Sequence, residues 1–150
     1  MTGVHIALGI AVLATSLAAG AWGAWLWWRA EPQPAFWTVL RISQGLLVAQ
    51  VLVGGALLAT GHEPASLHLL YGLLPLAVSF VAEQLRLVAA EQVLARRDLE
   101  SAQDMKTLPE DQQRLIVIEI VRRETGVMAA AALVVFVLAL RAAGVAGFIG

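Results

Sequence analysis

Two short strings in the chain share one spacing: His5-Ile-Ala-Leu-Gly9 and His68-Leu-Leu-Tyr-Gly72. Each sets a histidine near one end of a long apolar run, with a glycine one helical turn further on. An imidazole inside a membrane segment is costly and marks a functional position by default. Residues four apart share a helix face, and a glycine leaves its part of that face bare. A flat macrocycle fits on such a face, with two imidazoles as axial ligands of its iron. The spacing therefore nominates His5 and His68 as haem-iron ligands and Gly9 and Gly72 as the bare surfaces beside them. Ligation by two histidines saturates the iron, which suits electron transfer rather than oxygen chemistry.

The elements that must position these residues are membrane helices. The chain has 150 residues, of which 59% are hydrophobic and 14% charged. A soluble domain is nearer 45–50% apolar with about 25% charge. The length suggests one domain, and the net charge of −1 gives no global field to attract nucleic acid. There are no cysteines, which excludes disulfides, thiolate metal sites, iron–sulfur clusters and covalent haem attachment. Any haem is then held non-covalently, and haem b is the expected group.

A span needs about 20 apolar residues. Four are expected, at about 4–28, 36–59, 65–88 and 125–143, giving an all-α four-helix transmembrane bundle as a single domain. Glu31-Pro32-Gln33-Pro34 ends the first, Thr60-Gly61 the second, and Pro64 opens the third. No Lys or Arg precedes the first run, which is longer than a signal-peptide core, so it reads as a retained span.

Orientation follows from the basic residues. Arg29, Arg41, Arg86, Arg96, Arg97, Lys106, Arg114, Arg122 and Arg123 fall on one side, and Arg141 alone on the other. The positive-inside rule makes the first side cytoplasmic and both termini external, as in a prokaryotic inner membrane. Trp22, Trp25, Trp27, Trp28 and Trp37 should then line the inner interface, where indoles prefer to sit. His5, His62 and His68 fall together near the outer leaflet, with His5 and His68 at matched depth on different helices. Gly54 and Gly55 offer a third bare surface, and Arg141 a partner for haem propionates.

Between about 89 and 124 the pattern is charged but still helical, so spans three and four should continue as a cytoplasmic hairpin turning near Lys106–Pro109. Glu119 and Arg123 are spaced i, i+4 there. Arg41 and Glu83 are expected to pair between spans two and three. Gln50, near mid-membrane, suits either helix–helix hydrogen bonding or a bond to a cofactor or quinone.

The stretch Gln50-Val-Leu-Val-Gly54-Gly-Ala-Leu-Leu-Ala-Thr-Gly61, followed by Leu67-His68-Leu-Leu-Tyr-Gly72, resembles one half of the haem A synthase family. That family joins two four-helix bundles in tandem. Each half has a Gln, a Gly, a short outer loop, and a Leu-His opening the next helix. The resemblance covers roughly residues 4 to 82 and implies that His68 ligates haem iron, with His5 at the place of the partner histidine. The family's glutamate upstream of that histidine, its neighbouring arginine and its outer-loop cysteines are absent here. The resemblance thus implies haem binding without the haem-oxidising reaction, an electron carrier more than an enzyme. A single bundle implies a homodimer or a cytochrome b subunit of a larger respiratory complex.

Two other readings use the same residues. His5, His62, His68 and Glu63 could form an outer-face Zn or Cu site, although Pro64 interrupts their helical spacing. Alternatively the chain is a cofactor-free structural subunit of a larger membrane complex, docked through its hairpin.

Overall fold

The computed structural model describes residues 2–62, 64 and 66–145. Its elements are α1 (Thr2–Arg29), α2 (Pro34–Ala59), α3 (Ser66–Ala95) and α4 (Glu110–Val145), with one 3-10 turn at Asp104–Thr107. All four α-helices are long and apolar enough to cross a membrane. At 36 residues, α4 is about 54 Å long, well beyond a hydrocarbon core of about 30 Å.

The helix ends follow local chemistry. Three of them close in the same way, with a left-handed residue: Ala30 (φ 54°), Gly61 (φ 85°) and Asp98 (φ 57°). In each, the next amide reaches back across the last turn: Glu31 to the Leu26 carbonyl, His62 to Leu57 and Leu99 to Leu94. The left-handed residue's own amide bonds a carbonyl three residues back, completing a Schellman closure. Only Gly61 has no Cβ to strain that geometry. Gln33 is extended before Pro34, which occupies the first turn of α2.

The Asp98 closure changes the expected hairpin. Helix α3 stops at Ala95 and residues 96–109 are not α-helical, whereas α4 runs unbroken from Glu110. The expected turn near Lys106–Pro109 is the end of a longer connector. One arm is therefore short and the other long. Across the connector Arg97 bonds Glu119 at 2.9 Å, and Arg123 pairs with the same carboxylate at 3.6 Å.

Helix α1 packs against α2 and α4, and α4 against α3, while α2 and α3 barely meet. Lipid tails supply no hydrophobic drive between helices, so close packing of small residues must hold them. A Cβ on Gly20 would stand 2.6 Å from Leu133 Cδ2 of α4, and one on Gly23 would stand 2.8 Å from the Ala129 Cβ. The same Cβ on Gly23 would be 2.5 Å from the fully buried Phe36 ring. Phe36 anchors a cluster with Ala19, Leu26, Leu40, Ala82, Met128 and Ala132.

Trp22 and Trp37 pack edge-on against Phe36, with ring centres at 6.4 and 5.3 Å. The expected interfacial belt of five indoles is thus split. Trp25, Trp27 and Trp28 are exposed, while Trp22 and Trp37 belong to the packed cluster. Trp22 falls on the inward face that also carries Ala19 and Leu26.

Polar side chains also tie the helices. Ser16 and Ser43 join α1 to α2 through a buried hydroxyl pair at 3.0 Å. The expected Arg41–Glu83 pair forms and links α2 to α3. Gln44 adds a 2.9 Å bond to the same carboxylate. Arg86 lies 3.2 Å from Glu83 and 3.7 Å from Glu124 of α4, with its guanidinium 5.3 Å from the Trp37 ring centre.

Candidate functional site

At the end of the bundle away from the tryptophans, all four helices line one cavity of about 670 Å³. Its wall is mostly aliphatic, interrupted by His5, Gln50, His62 and His68. The volume lies in the range of small-molecule and cofactor sites, and an apolar wall with few polar groups is their usual make-up.

His5, in the first turns of α1, and His68, in the first turn of α3, meet here. Their ring centres are 6.0 Å apart and their planes cross at 65°. The matched position of each histidine near the same end of its helix brings them level. The two rings are close enough to reach one group held beside them.

The partners of the two rings differ. His68 Nδ1 lies 3.0 Å from the Ala142 carbonyl of α4. A carbonyl only accepts, so Nδ1 carries the proton and Nε2 the lone pair. Metal-ligating histidines are commonly oriented by such a bond from the far nitrogen. His5 places Nε2 3.3 Å from the Gln50 amide nitrogen, joining α1 to α2. That bond leaves His5 Nδ1 and Gln50 Oε1 buried without a protein partner. Orphaned polar atoms on an otherwise aliphatic wall call for a ligand or water. The sequence leaves Gln50 open to two roles, and in the fold it holds His5.

The glycines behave differently from one another. A Cβ on Gly9 would stand 3.2 Å from Gln50 Nε2, and one on Gly54 would be 3.1 Å from His5 Cε1. Both line the cavity, and both also make room for the His5–Gln50 pair. Gly55 and Gly72 line the cavity, and a Cβ on either would meet nothing within 4 Å, so they do present open surface.

Arg141 is outside the cavity wall. Its guanidinium lies 5.8 Å from the ring centre of Tyr71, which is part of the wall. His62 lines the cavity from the connector, with Nδ1 3.4 Å from the Thr60 hydroxyl. Among the described residues no three His, Cys, Asp or Glu side chains converge on a point that could hold a metal ion. Glu63, the carboxylate of the Zn or Cu reading, lies outside the described residues.

The arrangement offers two imidazoles at one end of an apolar chamber with room beside them for a planar group. No protein-family model, curated protein or solved structure matches this chain.

Proposed function

We propose that the chain is a membrane b-type haem protein that transfers electrons, with His5 and His68 as the two axial ligands. The 6.0 Å spacing of the two rings on the wall of one large cavity carries this reading. His68 keeps its Nε2 lone pair free, and Gly55 and Gly72 leave surface for a flat ring, whereas His5 accepts the Gln50 amide at Nε2 and would ligate by giving up that bond. Haem bound there would supply a one-electron iron couple with no open coordination position. The chain's own groups do the rest. Ala142 would orient His68 toward the group, and the largely aliphatic wall would keep it in apolar surroundings. Arg141, stacked on Tyr71 beside the cavity, supplies positive charge for the propionates.

Nine of ten basic residues favour an orientation with both termini and the histidines outside and the 89–124 segment in the cytoplasm of a prokaryotic cell. The resemblance to one half of a two-bundle haem protein favours a homodimer or a place in a larger respiratory complex. Gln50 holds His5 through its amide nitrogen and keeps its Oε1 without a protein partner.

One optical spectrum tests the proposal. Full-length protein from haem-replete cells should be red, with a reducible Soret band and split α and β bands. His5→Ala and His68→Ala should each abolish the low-spin spectrum, and His62→Ala should leave it. A colourless preparation, or low-spin haem surviving both substitutions, overturns it and favours the cofactor-free subunit.

A further inference from the structure

At the opposite end of the molecule the last turn of α1 meets α4 through one arginine. Arg122 donates from Nε to the Trp27 carbonyl at 3.0 Å, and its guanidinium lies 5.8 Å from the centre of the Trp27 ring. That carbonyl also accepts the Ala30 amide that closes α1. The cation thus sits at a helix C-terminus, where the peptide dipoles favour it. Gly126, one turn beyond Arg122 on the same face of α4, makes room for the indole. A Cβ there would stand 2.7 Å from Trp27 Cδ1 and 2.8 Å from Nε1.

These contacts fix the Arg122 head but use one of its five N–H groups. Arg29, Arg41, Arg86, Arg97 and Arg123 each have a glutamate partner. Among the described residues Arg122 has none. The corner therefore carries an uncompensated, permanently charged fork of donors, positioned in advance. Beside it Trp27 is 46% exposed, and Trp28, next in the chain and packed on Trp25, is 71% exposed. Exposed indoles settle at the level of lipid headgroups, and a guanidinium there matches a phosphate.

We propose that this α1–α4 corner seats the phosphate of an anionic phospholipid, with Arg122 as the donor and Trp27 as the apolar wall. The seat is independent of the haem reading, since none of its residues lines the histidine cavity. A zwitterionic lipid brings its own cation to the phosphate and leaves the charge of Arg122 unbalanced. Selectivity for net negative lipid follows.

Native mass spectrometry of the full chain, released from micelles doped with phosphatidylglycerol or phosphatidylcholine, tests this. The parent should retain phosphatidylglycerol in preference. Arg122→Gln should weaken that retention about fivefold, the usual worth of one basic residue at a charged membrane surface. Arg114→Gln removes an exposed charge elsewhere on α4 and should retain lipid as the parent does. Equal retention by the parent and Arg122→Gln overturns the proposal, as does equal retention of the two lipids by the parent. Displacement of the lipid by millimolar inorganic phosphate overturns the headgroup assignment and marks a free-anion site. A second measurement needs no variant: a phosphatidylglycerol with a photo-crosslinker in its headgroup should label the segments around Trp28 and Arg122. Labelling confined to other segments overturns it too.

Discussion

Gly23→Ala is expected to destabilise the bundle, and Gly45→Ala is not. Both glycines lie inside helices, where alanine is preferred by about 0.8–1.0 kcal/mol. That gain is common to the two and cancels in their difference. A methyl at Gly45 meets nothing within 4 Å. A methyl at Gly23 would stand 2.5 Å from Phe36 Cε2 and 2.8 Å from the Ala129 Cβ. Carbon atoms pack at about 3.5–4.0 Å, so α1 must move back by about 1 Å or Phe36 must turn. Phe36 has no exposed surface and is flanked by Trp22 and Trp37, so it has nowhere to turn. Overpacking of this kind costs about 1–3 kcal/mol, and that is the expected gap between the two variants. Unfolding in mixed micelles by titration with sodium dodecyl sulfate, followed by helical circular dichroism, measures it. Indole fluorescence should report the same order, since Trp22 and Trp37 touch the displaced ring. Equal midpoints for Gly23→Ala and Gly45→Ala would refute the α1–α4 packing described above.

Other outcomes follow from the polar ties and the helix ends. Ser16→Ala should cost about 1–3 kcal/mol by stranding the Ser43 hydroxyl in the core, and the double variant with Ser43→Ala should recover most of it; the same titration checks both. Ala30→Gly should stabilise by up to about 1 kcal/mol, since Ala30 sits at φ 54° with a Cβ that the left-handed region disfavours; thermal unfolding reads it. Arg97 chiefly, by hydrogen bond, holds the Glu119 carboxyl below its ordinary range. A depressed carboxylate contributes stability at pH above its unfolded value, and that contribution is lost as pH falls through the lower folded value. Acid titration should therefore loosen the 96–109 connector in the parent, seen as faster proteolysis, and Glu119→Gln should remove that pH dependence.

The four spans and most of their ends were legible because Pro, Gly and charge interrupt the apolar runs. The meeting of His5 and His68 was legible too, since both lie near the same end of their helices. Their immediate partners were not. Gln50 and the Ser16–Ser43 pair lie in runs where nothing marks the inward face. In a membrane bundle the residues facing lipid and those facing the core are equally apolar, so the helical period loses its contrast. The same loss explains the tryptophans. Trp22 and Trp25 look alike in sequence, yet one packs on Phe36 and the other is exposed. Neighbour order was hidden as well. The short connector between α2 and α3 suggests adjacent packing, but the two helices are joined mainly by Arg41, Gln44 and Glu83.

In cross-section the bundle is a horseshoe, not a closed square. Three of its sides are closely packed, and the fourth is spanned by an ionic clasp at one end only. A bulky guest at the histidine end would therefore meet least resistance along the α2–α3 side, away from the Arg41–Glu83 clasp.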